Sequence, residues 1–209
     1  MNILAISDKV LEYVYGPGCR QKFGHIDLIV SCGDLPYYYL EFILTTLDKP
    51  LYFVRGNHAN KIEYTRTGSL IEPRGATDLH RRTDRHQGLL LAGVEGSIRY
   101  NRGDFQYSQS EMWGHVFSLV PGMLYNRIKT GRYLDVFVTH APPAGIHDKP
   151  DRAHSGVGAF AWLDRVFKPR YHLHGHIHRY HPEDPERTQA GDTLIVNAYG
   201  HQELVIETG

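Results

Sequence analysis

The sequence predicts an α/β domain with mostly parallel pairing in its first half, and three observations carry that prediction. Short apolar runs recur along the chain, several stop abruptly at a polar cluster, and stretches of helical spacing lie between some of them. The runs over residues 3–6, 26–30, 51–54, 134–138 and 171–173 are too short for buried helices. They are rich in Ile, Val, Leu and Phe, which favours buried strands. Residues 89–92, 194–196 and 204–206 read as further strands. A helix is predicted over 36–47, with Pro36 near its start and Leu40, Ile43, Leu44 and Leu47 at helical spacing. Ser108-Gln-Ser-Glu111 resembles a capping box that opens a second helix containing Trp113, Val116 and Phe117. Pro121 is expected to kink or restart that helix before it ends near residue 129. Residues 158–167 form a third helix, and 60–87, dense in Arg, Thr, Asp and His, read as an exposed excursion.

The bulk properties narrow the function classes. A length of 209 residues suits one substantial core, so one domain over 1–209 is expected. Lys+Arg and Asp+Glu are equal at 23 each, which removes any bulk electrostatic case for nucleic acid or an anionic membrane surface. The two cysteines, Cys19 and Cys32, fit neither a disulfide framework nor a CxxC metal site and point to a reducing compartment. The N-terminus reaches Asp8 too soon for a signal peptide, and no apolar run approaches the roughly 18 residues of a membrane span. A cytoplasmic location without membrane association follows as the expectation.

The chemistry lies where the strands stop. In open α/β sheets ligands bind beyond the carboxyl ends of the strands. Asp8, Asp34, Asn57, His140, His176 and His178 all fall at such ends. Carboxylate, amide oxygen and imidazole without thiolate suit Mn, Fe or Zn and disfavour a structural zinc site. A carboxylate shared by two ions would hold them roughly 3.5–4 Å apart, the spacing of two-metal phosphoesterases. Taken singly, each residue has a plainer reading: Asp8 as a cap, Gly33-Asp34 as a turn, Asn57-His58 as a turn after Gly56, His140 as a half-buried histidine before Ala-Pro-Pro. Gly175-His176-Ile177-His178 is more specific, because alternation on an extended chain puts both histidines on one face.

These segments, in this order, resemble the calcineurin-like metallophosphoesterase superfamily, whose pattern is D-x-H, G-D-x-x-[Y/D], G-N-H-[D/E], a strand ending in His, and G-H-x-H. The matching residues are Asp8-Lys9-Val10, Gly33-Asp34-Leu35-Pro36-Tyr37, Gly56-Asn57-His58-Ala59, Thr139-His140 and Gly175-His176-Ile177-His178. The resemblance implies a four-layered αββα sandwich, two divalent metal ions with manganese favoured, and hydrolysis of a phosphodiester or phosphomonoester through a metal-activated hydroxide. It implies that Asp34 bridges the metals, that Asn57, His140 and His176 complete one site, and that Asp8 and His178 serve the other. His58 would stabilise the transition state or protonate the leaving oxygen, worth about 10²–10⁴ in rate. Two positions depart from the pattern. Val10 stands where the family has His, so the site around Asp8 is expected to be weak, empty or completed by another ligand such as Glu12, Tyr13, His25, His86 or His147. Ala59 replaces the acid after His58, which should leave His58 less constrained.

Arg55 and Arg99 are candidates to hold a phosphate, each equally readable as a surface ion pair. Residues 96–104, with Tyr107 beyond, would form a lip over the site, and His147-Asp148 and His154 could line the opposite wall. Gln106, Tyr107 and 60–87 offer no readable specificity. The expected partner is a small phosphate ester. The alternatives are a degenerate member of the family acting as a protein-interaction module, and a nuclease drawing on Arg66, Arg74, Arg81, Arg82 and Arg85.

Overall fold

A computed structural model describes residues 1–65, 68–181 and 183–207. The predicted strand runs build two sheets. The first has the order β15-β1-β2-β3-β6, from β1 (Asn2–Ser7), β2 (Leu28–Ser31), β3 (Leu51–Phe53), β6 (Thr77–Asp78) and β15 (Gly200–Val205). The second has the order β13-β14-β12-β11-β8-β7, from β7 (Arg82–His86), β8 (Leu89–Val94), β11 (Val136–Thr139), β12 (Tyr171–His174), β13 (Arg187–Ala190) and β14 (Thr193–Asn197). Two short pairs accompany them: β4 (Glu63–Thr65) with β5 (Gly68–Leu70), and β9 (Ser97–Ile98) with β10 (Gln106–Tyr107). Within the two sheets the central pairings are parallel, and only β15, β7 and β13 join antiparallel, at the sheet edges.

Strand alternation sorts the apolar side chains into layers. Ile3, Ala5, Leu28 and Val30 of the first sheet meet Leu89, Leu91, Val136 and Val138 of the second in a core between the sheets. Their neighbours Leu4, Ile6 and Ile29 face outward onto α1 (Cys19–Phe23) and α2 (Tyr37–Leu47). Ala92, Val94 and Phe137 face the other way onto α3 (Gln109–Thr130) and α4 (Gly158–Phe167). Helix, sheet, sheet, helix is the four-layered arrangement the resemblance implies. Among the described residues, no helix is long and apolar enough to cross a membrane.

Two sequence expectations change. The Ser108 box closes as read, with its hydroxyl accepting from Glu111 N, yet α3 does not restart at Pro121 and continues through it as one helix of 22 residues. The N–H that Pro121 lacks would have served the carbonyl of Phe117, and both residues are exposed, so water can satisfy that carbonyl. Residues 60–87 are more than a surface excursion: β6 and β7 extend one sheet each, and Leu79 between them is fully buried. Arg66 of the basic cluster lies outside the described residues.

Candidate metal centre

The polar ends of β1, β2, β3, β11 and β12 converge where the sheets face each other. Asp8, Asp34 and His176 all adopt the left-handed region within three residues of the ends of their strands, at φ 62°, 54° and 67°. Such conformations cost non-glycine residues on the order of 1–3 kcal/mol and cluster at functional sites. Glycines make room for this crowding. A Cβ on Gly56 would stand 2.0 Å from Asp34 Oδ1, and one on Gly175 would stand 1.9 Å from Ser7 Oγ and 2.6 Å from Asp8 Oδ2.

Asp34 is gripped from both sides. One carboxylate oxygen accepts the His58 backbone N–H at 2.8 Å, and the other lies 3.1 Å from His140 Nε2. His140 is fully buried, and its Nδ1–H donates to the Cys32 carbonyl at 2.8 Å, which turns Nε2 inward. There Nε2 also meets Asn57 Oδ1 at 2.9 Å. Burial alone would raise Asp34 and lower His140, but their mutual attraction prevails: Asp34 is held below the usual carboxylate range and His140 above the usual imidazole range. The Nε2 proton thus sits among three electron-pair donors. A divalent cation in its place would meet His140 Nε2, Asp34 Oδ2 and Asn57 Oδ1, a donor set that fits Mn, Fe or Zn. A carbonyl behind the ring, as Cys32 supplies, is the kind of contact that fixes a ligating imidazole.

On the other side, Asp8 Oδ2 accepts the His176 backbone N–H at 2.9 Å. Asp8 Oδ1 is buried without a hydrogen-bond partner and lies 3.6 Å from His178 Nε2. An orphaned buried carboxylate oxygen is costly unless a cation answers it. Ligand atoms of Asp8, Asp34 and His140 lie within 4.8 Å of one another, close enough to share an ion. His176 is lowered by burial and by the charge on His140; as a neutral ring it donates Nε2–H to Ala153 O at 2.8 Å, leaving Nδ1 as its lone pair.

Residues 5–180 match the family model for calcineurin-like phosphoesterases. The chain belongs to that family. Solved structures agree on the fold. The protein TT1561 of Thermus thermophilus superposes with TM-score 0.62 at 16% identity, over 95% of this chain and 89% of that one. GAP50, described as the anchor in the inner membrane complex of Plasmodium, gives 0.52 at 10% identity, over 94% and 70%. A further crystal structure gives 0.64 at 13% identity, over 97% and 94%. No curated protein matches the sequence.

In this member of the family the residues proposed from sequence separate into those brought to the candidate centre and those held elsewhere. Asp8, Asp34, Asn57, His140, His176 and His178 are at or beside it, and His58 is exposed next to it, lining a pocket of about 180 Å³ with Asp34, Ala59, Asn60 and Glu63. Arg55 is not aimed there. It pairs with Asp78 and Glu95 and donates to Ile71 O at 3.1 Å, with only 13% of its side chain exposed. Arg99 turns to Gln106 O and Glu111. Of the five substitutes proposed for the missing histidine, four have other partners. Glu12 is exposed; Tyr13 bonds His201, His25 pairs with Glu203, His86 packs on Tyr52, and His147 is fixed between His174 and Thr188. Around His178 stand instead Tyr180, whose hydroxyl is 3.0 Å from Nδ1, and Tyr199, with its ring centroid 4.8 Å away. Sequence reading also missed Tyr100, whose hydroxyl accepts from Asn57 Nδ2 at 3.0 Å. A lone loop tyrosine carries no sequence signal for such a contact.

Proposed function

We propose that this chain is a metal-dependent phosphoesterase acting on a small phosphodiester or phosphomonoester. The observation that supports it most is the grip on Asp34: His58 N–H on one oxygen, His140 and Asn57 around the other, and the orphaned Asp8 Oδ1 nearby. When bound, two divalent ions would polarise the phosphoryl oxygens and lower the pKa of a water. Asp34 is assigned the bridging position, Asn57, His140 and His176 one site, and Asp8 and His178 the other. His58 is assigned the leaving-group proton, since its exposed ring borders the pocket beside Asp34. Ala59 contributes no acid to orient that ring, so its orientation is left to the substrate.

The test is metal content of protein purified without chelator, together with hydrolysis of bis-p-nitrophenyl phosphate and p-nitrophenyl phosphate with added manganese. Bound metal with turnover is expected, and Asp34→Asn or His176→Ala should abolish it with the fold intact. Wild-type rates in both variants would overturn the assignment. Val10 favours a second reading, a partner-binding member that keeps the fold without the chemistry, because it offers Asp8 no ligand. Protein that binds no metal and cleaves neither ester would establish that reading over the first.

A further inference from the structure

We infer that Glu63 selects the substrate class at this centre, favouring a singly charged phosphodiester over a doubly charged phosphomonoester. The inference rests on the proposed function and decides the choice that reading leaves open. The two esters differ in charge as well as bulk. A diester phosphate carries one negative charge, whereas a monoester carries close to two at neutral pH. A fixed anion beside the reacting ester therefore penalises the monoester more.

Glu63 supplies that anion. It stands on β4, and both its carboxylate oxygens accept the Tyr37 backbone N–H, at 3.2 Å and 3.0 Å. Tyr37 opens α2 three residues beyond Asp34, and neither the N-cap Pro36 nor an acid in the first turn answers that end of the helix. The Tyr37 hydroxyl also donates to Ile71 O at 3.1 Å, which ties the β4–β5 hairpin to α2 and keeps the carboxylate in place. Glu63 lines the pocket of about 180 Å³ that Asp34 and His58 border, so its charge acts across the space beside the reacting bond. His58 aside, none of the described residues lining that pocket can carry a positive charge. Cations from the surrounding segments are committed elsewhere: Arg55 to Asp78 and Glu95, Lys61 to Asp104, Arg99 to Glu111. The side chains thus add a negative charge and leave a second phosphoryl charge without a partner of their own. Burial lifts the Glu63 carboxyl above its ordinary range, the Tyr37 N–H opposes that rise, and Glu41 adds to it.

The experiment measures kcat/KM for bis-p-nitrophenyl phosphate and p-nitrophenyl phosphate with added Mn²⁺ at about pH 8, well above the carboxylate range. Both esters release p-nitrophenol, so their ratio reads the rest of the substrate. The wild type should favour the diester. Glu63→Gln removes the charge and keeps an oxygen for the Tyr37 N–H. It should raise the monoester-to-diester ratio of kcat/KM about tenfold, whereas Glu63→Asp, which keeps the charge, should hold the ratio within about twofold. A wild type that prefers the monoester, or a ratio that Glu63→Gln leaves unmoved or shifts no more than Glu63→Asp does, would overturn the inference. If Glu63→Gln does not fold, Asn60→Lys decides: at an exposed position of the same pocket it adds the opposite charge, and it should raise the ratio severalfold. An unmoved ratio there would overturn the inference equally. Wild-type protein that cleaves neither ester defeats the proposed function and this inference with it, whereas turnover with a ratio indifferent to Glu63 defeats only the inference.

Discussion

Asp34 and Asp8 end neighbouring parallel strands in the same left-handed turn, at φ 54° and 62°, yet their surroundings differ sharply. Asp34 meets a backbone N–H on one oxygen and a buried imidazole on the other, and that imidazole is backed by Cys32 O. The ligand beside it, Asn57, is backed by Tyr100. Asp8 has one oxygen satisfied by His176 N–H and the other left to a histidine at 3.6 Å whose side chain is 41% exposed. Preorganised groups bind at little further cost in order, so the Asp34 half should fill first and hold longer. The lesson is that ligand identity sets which ion fits, while the contacts behind the ligands set how well it is held.

Removing the shared carboxylate gives the largest effect. Asp34→Asn should eliminate both metal binding and turnover, whereas His178→Ala should remove only the weaker ion and leave the first titratable. Equal loss of both ions in the two variants would erase the distinction between the halves. Next in size is His58→Ala, expected to reduce kcat by about 10²–10⁴ with metal content unchanged. A drop in bound metal there would move His58 from the reacting bond to the metal site. Third is Val10→His, which restores the family's imidazole beside Asp8. It should tighten the second ion by about tenfold, some 1.4 kcal/mol, and leave the first alone. If stoichiometry and affinity stay unchanged, the weakness of the Asp8 half has another origin.

How much of this was legible in the sequence depends on where each contact partner sits in the chain. The central strands declared themselves because both faces are buried and their apolar runs end at the ligands. The second predicted helix and the third were legible from a capping box and from apolar spacing; Gly158–Phe167 has the bounds the pattern gave. The edge strand β13, reading Arg-Thr-Gln-Ala, was not legible, because it alternates between half-buried and exposed positions and has no apolar run. Strand β7 escaped for the same reason, since Arg82 to His86 is polar throughout. At the site, the candidate ligands were proposed from family spacing, but the contacts behind them could not be. Cys32 contributes a carbonyl, which any residue could, and Tyr100 reaches Asn57 across 43 positions. Arg55 was readable as a phosphate holder or as an ion pair, and only Asp78 and Glu95, brought in by β6 and the end of β8, decide for the ion pair.

The smallest expected effect concerns two largely buried histidines outside the candidate ligand set. His80 accepts Glu95 N–H through Nδ1 at 3.1 Å and is lowered to about 4 by burial first and then by the charge of His115. His147 bonds His174 at 2.8 Å and is likewise lowered to about 4, by burial first and then by His172 and Arg179. Both rings are neutral when folded and take up a proton near the ordinary pKa of 6.5 when unfolded. Acid therefore favours the unfolded chain: the contribution of these rings is complete above about pH 6.5 and declines as pH falls toward about 4. In chelator the melting temperature should drop across that window, by roughly 2–4 °C for each kcal/mol lost in a chain of this size. His80→Gln should flatten the slope while leaving Mn²⁺ affinity near the wild-type value. A slope unchanged in His80→Gln and in His147→Gln would mean that neither ring is kept neutral by the fold.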